Sequence, residues 1–141
     1  MNDVMDELLG FEDYVDRYLN AVAAIPDDTP GALYPRMHML GHAVELSLKA
    51  YILSTGNEYP RRHDLVELLD LAKQHGLSAS DDGQRNIRNL NQIYFKPDNA
   101  EWKFPSRYPQ PGTAIWITPS REAMTKCAKG FVMQALDRSK K

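Results

Sequence analysis

Apolar residues recur along most of this chain at alternating steps of three and four, the spacing of helices that bury one face. Val4, Leu8, Phe11, Val15, Tyr18 and Val22 predict a helix over about Asn2–Ala24. Asp3, Asp6 and Glu7 lie in its first turn, where the helix dipole favours negative charge. Pro26 and the following Asp-Asp-Thr-Pro-Gly run end it. A second helix is predicted over about Ala32–Ser54, with Met37–Leu53 as its organising part. Leu33, Met37, Leu40, Val44, Leu48 and Tyr51 form one stripe, and Leu46, Ala50 and Leu53 form another flank. Apolar residues on more than one side imply a central helix that touches several neighbours. Gly41 and Ala43 are small enough for close approach, and Gly56-Asn57 ends the helix.

A short loop leads to a third helix over about Asp64–Gln74, with Leu65, Leu68, Leu69 and Ala72 inward and His75-Gly76 at its end. A fourth helix covers about Ser80–Phe95, with Ile87, Leu90 and Tyr94 in register. Four of the nine prolines fall between Pro105 and Pro119, which excludes helix there and leaves a long proline-rich loop. Ala114–Thr118 is read as a short extended piece within it. Thr118 followed by Pro119 marks the start of a last helix running to about Arg138. Its core face is Met124, Cys127, Ala128, Phe131, Ala135 and Leu136. The expected fold is all-α, an antiparallel bundle of about five helices with the proline-rich loop before the last one.

Composition changes this picture little. The 141 residues suit one domain, residues 1–141. A formal net charge of -2 gives no broad basic surface for duplex nucleic acid. A single cysteine, Cys127, forms no internal disulfide and points to a reducing, cytoplasmic setting. The acidic N-terminal segment lacks the basic and apolar regions of a signal peptide, and no apolar run spans a bilayer.

The candidate chemistry begins on the central helix. Glu45 and Lys49 are four apart with the acid first, the favourable order for an ion pair. A solvated surface pair is the plainer reading; a central helix makes a partly buried pair the sharper one. His63-Asp64 opens the third helix, and His63 can donate to a carboxylate on the neighbouring helix, with Glu45 as the candidate. A structural cap is the favoured alternative. Lys96, Trp102, Lys103, Arg107 and Tyr108 interleave cations and rings as phosphate- and base-binding segments do, and Trp116 offers a second platform. For Trp102 and Trp116, packing of the loop onto the bundle is the favoured role; Arg107 is held between Pro105 and Pro109. His38 and His42 have a helical metal-ligand spacing but no third ligand, so neither metal nor cofactor is expected. Cys127 reads as a small buried residue rather than a nucleophile. No standard catalytic motif occurs.

The segment HAVELSLKAYILSTGNEYPRRHDLVELLDLAKQHG carries Glu45, Leu48, Lys49, Gly56, His63, Asp64, Leu65, Leu68 and Leu69 in an order that resembles the HEPN family. Tyr94 and the later Arg107-Tyr108-Pro109 also match, so the likeness spans about Met37–Pro109. The resemblance implies an antiparallel bundle, commonly a homodimer, that binds a nucleotide or RNA or pairs with a minimal nucleotidyltransferase. The binding residues it and the spacing suggest are Glu45, Lys49, His63, Asp64, Tyr94, Arg107 and Tyr108. Ribonuclease members carry an Arg followed after four to six residues by a His, late in the bundle. No His follows His75 here, and the one literal match, Arg36 and His42, lies at the start of the central helix. The expectation is therefore a non-catalytic binding module. The alternatives are a metal-independent, toxin-like ribonuclease using Arg36 and His42, and a purely structural dimerisation protein.

Overall fold

A computed structural model describes residues 3–95 and 119–140. Within them lie five helices: α1 (Asp3–Ala23), α2 (Leu33–Ser54), α3 (Leu65–Gln74), α4 (Asp81–Tyr94) and α5 (Arg121–Ser139). The all-α expectation is met. The residues expected to form the proline-rich loop, its extended piece at 114–118, and Lys96, Trp102, Lys103, Arg107, Tyr108, Pro109 and Trp116 lie outside the described residues.

α2 packs against each of the other four helices. This follows from its composition, because Ala43 and Ala50 on another face are buried as well as the large side chains of the Met37, Leu40, Val44 and Leu48 stripe. Full burial of each such side chain contributes about 1.5–3 kcal/mol. α1 and α5 supply Leu8, Val15, Leu19, Met124 and Phe131 to the same core. Leu65, Leu68, Leu69, Ile87 and Leu90 bring α3 and α4 into it. Leu33, expected in the α2 stripe, is instead well exposed at the helix's first turn. Among the described residues, no helix is long and apolar enough to cross a membrane.

Polar caps fix the helix ends. Asp64 is the N-cap of α3 and accepts hydrogen bonds from the backbone N–H groups of Val66 and Glu67. α5 begins two residues later than Thr118-Pro119 predicts. Ser120 is its N-cap and accepts from the Ala123 N–H, which leaves Pro119 outside the helix. A serine hydroxyl satisfies an N–H left without a partner at the helix start, which proline at Pro119 does not do. Gln134 on α5 clamps the α3–α4 link by accepting from the Ser78 N–H and donating to its carbonyl. Gly76 follows α3 with φ 106, a left-handed conformation that a side chain rarely adopts.

The small residue Gly41 serves a specific contact. The Tyr94 ring of α4 lies against its Cα, and a Cβ at position 41 would overlap the base of that ring. The atoms met are Cγ and Cδ1, which cannot swing away without moving the whole side chain. Gly41→Ala is therefore expected to destabilise the fold by about 1–3 kcal/mol despite the better helix propensity of alanine. Urea unfolding measures it, and an unchanged or raised midpoint would contradict the packing described.

Candidate functional site

His38, His42, Glu45 and Lys49 follow one another at steps of four, three and four along α2, so they form a single polar stripe on a mostly apolar helix. By spacing alone they read as two separate pairs, His38 with His42 and Glu45 with Lys49. Glu45 is the centre of the stripe. Its side chain is only 4% exposed, and that of Lys49 is 10% exposed. Their Nζ–Oε2 distance is 2.9 Å. The solvated surface alternative for this pair does not hold, because α2 is enclosed by its neighbours.

Two further elements reach the same carboxylate. His63, just ahead of α3, places Nδ1 3.0 Å from both Glu45 oxygens, and donates when Nδ1 carries the proton. The Tyr94 hydroxyl, at the end of α4, donates to Oε1 at 2.7 Å. That hydroxyl also lies 3.2 Å from His42 Nδ1. With the phenol proton committed to Glu45, an Nδ1–H tautomer of His42 donates to the Tyr94 oxygen. Burial alone raises the pKa of Glu45, but the hydrogen bonds from Tyr94, Lys49 and His63 outweigh it and hold the carboxyl below its ordinary value.

Rings enclose the stripe. Tyr18 of α1 stacks on His42 with centroids 5.2 Å apart and planes 12° apart. His38 meets both His42 and Tyr94 at 4.9 and 5.4 Å. Tyr59, in the loop before α3, lies over the Lys49 ammonium at 5.5 Å and is met edge-on by Phe11. His63 remains 65% exposed, beside the exposed Arg61 and Arg62. Arg62 is paired with Glu67.

The structure thus gathers four of the sequence-selected residues, Glu45, Lys49, His63 and Tyr94. Asp64 adjoins them but is engaged in the α3 cap and accepts from Asn91, whose own carbonyl oxygen takes the Leu65 N–H. Arg107 and Tyr108 lie outside the described residues. Tyr18, Tyr59 and Arg61 were not selected as site residues. The Tyr-Pro-Arg-Arg run before His63 was the available signal for Tyr59 and Arg61. Tyr18 had been assigned to the apolar face of α1, and partial burial there is what lets its ring cover His42.

Arg36 and His42 are not brought together. Six residues apart on one helix, they point about 120° away from each other. Arg36 Nη2 donates to the Pro26 carbonyl oxygen at 2.8 Å, whereas His42 faces Tyr18 and Tyr94. No group of three or more potential metal ligands occurs among the described residues. Cys127 is half-buried against Gly83, and burial, reinforced by Asp82 and opposed by Lys126, pushes its thiol pKa up, away from nucleophilic reactivity.

Because the folded pKa of Glu45 is depressed, its ionisation stabilises the fold fully above the ordinary value of 4.5. That contribution is lost as pH falls through the lower folded value. In denaturant titrations across pH 2–7, the stability advantage over Glu45→Gln should shrink only below about pH 4.5. A pH-independent difference would show that the carboxylate is not held as described. At neutral pH, Glu45→Ala leaves Lys49 without its buried counter-charge and should cost about 3–5 kcal/mol.

A family model described as HEPN domain matches residues 36–133, which include most of α2, all of α3 and α4 and most of α5. No curated protein and no solved structure matches the chain. The match extends over most of the chain and includes the whole polar stripe, so this chain belongs to the HEPN domain family.

Proposed function

We propose that the chain is a non-catalytic binding module that takes a nucleotide or single-stranded RNA along the polar stripe of α2. The observation that carries this reading is the convergence of Tyr18, Tyr59, Tyr94 and the His38 and His42 rings on that stripe. Rings so placed offer edges and faces to an unpaired base. Glu45 acts here as the internal support. It consumes the charge of Lys49 and orients His63 and Tyr94, so among the described residues phosphate contact falls to the exposed Arg61 and His63. Arg107 and Tyr108, outside the described residues, stay candidates from the sequence alone. Asp64 holds the His63 turn in place through the α3 cap.

The separation of Arg36 from His42 favours binding over metal-independent cleavage. A transferring phosphate needs its charge stabiliser and its proton-transfer group around one point. Leu9 and Tyr14 on α1 and Met133 on α5 are exposed. They support association through these outer faces, with a second copy or with a minimal nucleotidyltransferase as the partner.

Fluorescence anisotropy with a short single-stranded RNA tests the site. His42→Ala and Arg61→Ala should each weaken binding by about tenfold, the loss of one stacking or charged contact. RNA incubated without metal ions should remain intact. Unchanged affinity in both variants would remove the stripe as the site, and cleavage abolished by either Arg36→Ala or His42→Ala would establish the ribonuclease reading instead.

A further inference from the structure

The opposite flank of α2 holds a second, independent feature. Arg36 is 8% exposed, a nearly buried cation whose one hydrogen bond among the described residues is to the neutral Pro26 carbonyl oxygen. Among the described residues its Nε is buried with no hydrogen-bond partner, and no ion pair includes it. A buried charge without a counter-charge is costly, and proteins rarely retain one idle. Arg36 lines an open cleft of about 370 Å³ between the start of α2, the α1–α2 link and the start of α5.

The other lining groups suit an anion. Arg121 stands in the cleft, and its Nη1 is held 3.0 Å from the exposed carboxylate of Asp27. Ser120 caps α5 through Ala123, and its own N–H goes to Asn86. Arg121 and Glu122, which also line the cleft, open α5, where first-turn N–H groups have no acceptor within the helix and make up its positive end. Glu122 is exposed, and Met37 gives the floor an apolar part. The volume exceeds that of a bare phosphate and falls in the range of small-molecule sites.

We propose that this cleft binds a phosphoryl group, with the Arg36 and Arg121 guanidiniums and the α5 N-terminus as its receptors. The site is separate from the α2 polar stripe, because Arg36 points about 120° from His42. Asp27 is its competitor, since it occupies the Arg121 guanidinium in the absence of ligand. The phosphoryl group comes either as free phosphate or as the phosphate of a mononucleotide.

Calorimetric titration of the full chain with inorganic phosphate, AMP and adenosine, at matched ionic strength, tests the site. Phosphate is expected to bind, Arg121→Gln to weaken it about tenfold or more, and Asp27→Asn to strengthen it. Arg36→Gln should abolish binding; circular dichroism first establishes that it folds, and Arg121→Gln and Asp27→Asn decide the matter if it does not. AMP binding more tightly than phosphate, with adenosine inert, identifies a nucleotide phosphate. Equal affinities for phosphate and AMP identify free phosphate. Absence of phosphate and AMP binding, or affinities indifferent to both Arg121→Gln and Asp27→Asn, would overturn the proposal.

Discussion

One buried carboxylate constrains this fold more than any other group. Glu45 sits in the central helix with almost no contact with water. An isolated carboxylate there would be neutralised or would break the packing, since stripping its hydration costs several kcal/mol. Lys49, His63 and Tyr94 together replace that hydration. Each comes from a different part of the chain: one turn further along α2, the link into α3, and the end of α4. Satisfying the carboxylate therefore fixes how those three parts meet. The geometry is specified by charge and hydrogen bonding rather than by apolar contact alone, which is less particular about direction.

The remaining packing serves the same junction. Tyr94 can reach Glu45 only because Gly41 presents no side chain in its path. His63 reaches it because Asp64 caps α3 and Asn91 ties that cap to α4. The apolar faces of α3 and α4 join the same core and so bring these polar groups to Glu45. Tyr94 then carries the constraint onward to His42, and Tyr18 covers the imidazole from α1. Four of the five helices thus take part in one connected arrangement centred on α2.

Much of this was readable in the sequence. The number and extents of the helices followed from apolar spacing, since each helix buries a face against a common core. The centrality of α2 followed from its apolar residues lying on more than one side. The Glu45–His63 contact was legible as a candidate, since a histidine opens the helix after an acid-bearing one, but the sequence favoured a structural cap there and only the packing brings the two side chains together. The rest depends on three-dimensional direction, which a linear pattern does not carry. The spacing from His38 through His42 and Glu45 to Lys49 was visible, but as two pairs, since only the packing shows that rings from α1, α4 and the loop before α3 close over all four. Tyr18 looked like core because partial burial and a site wall leave the same mark in a hydrophobic pattern. The start of α5 was misplaced because Pro119 and Ser120 are both good start signals, and only the Ser120–Ala123 hydrogen bond distinguishes them.

The two flanks of α2 also separate the two residues that match the ribonuclease spacing literally. An Arg and a His separated by five residues on a continuous helix cannot face one point, because the helical repeat turns them about 120° apart. Such a pair cooperates only if the helix is interrupted or a second chain brings one member across. α2 is unbroken between Arg36 and His42, and neighbours hold each residue on its own side, Pro26 for one and Tyr18 with Tyr94 for the other. The same rotation that separates them gives the helix two chemically different faces. One is ringed by aromatics around a neutralised ion pair, and the other carries a guanidinium with no ion-pair partner among the described residues, beside a helix N-terminus. A central helix that touches all its neighbours is well suited to this division, because each flank inherits a different set of walls.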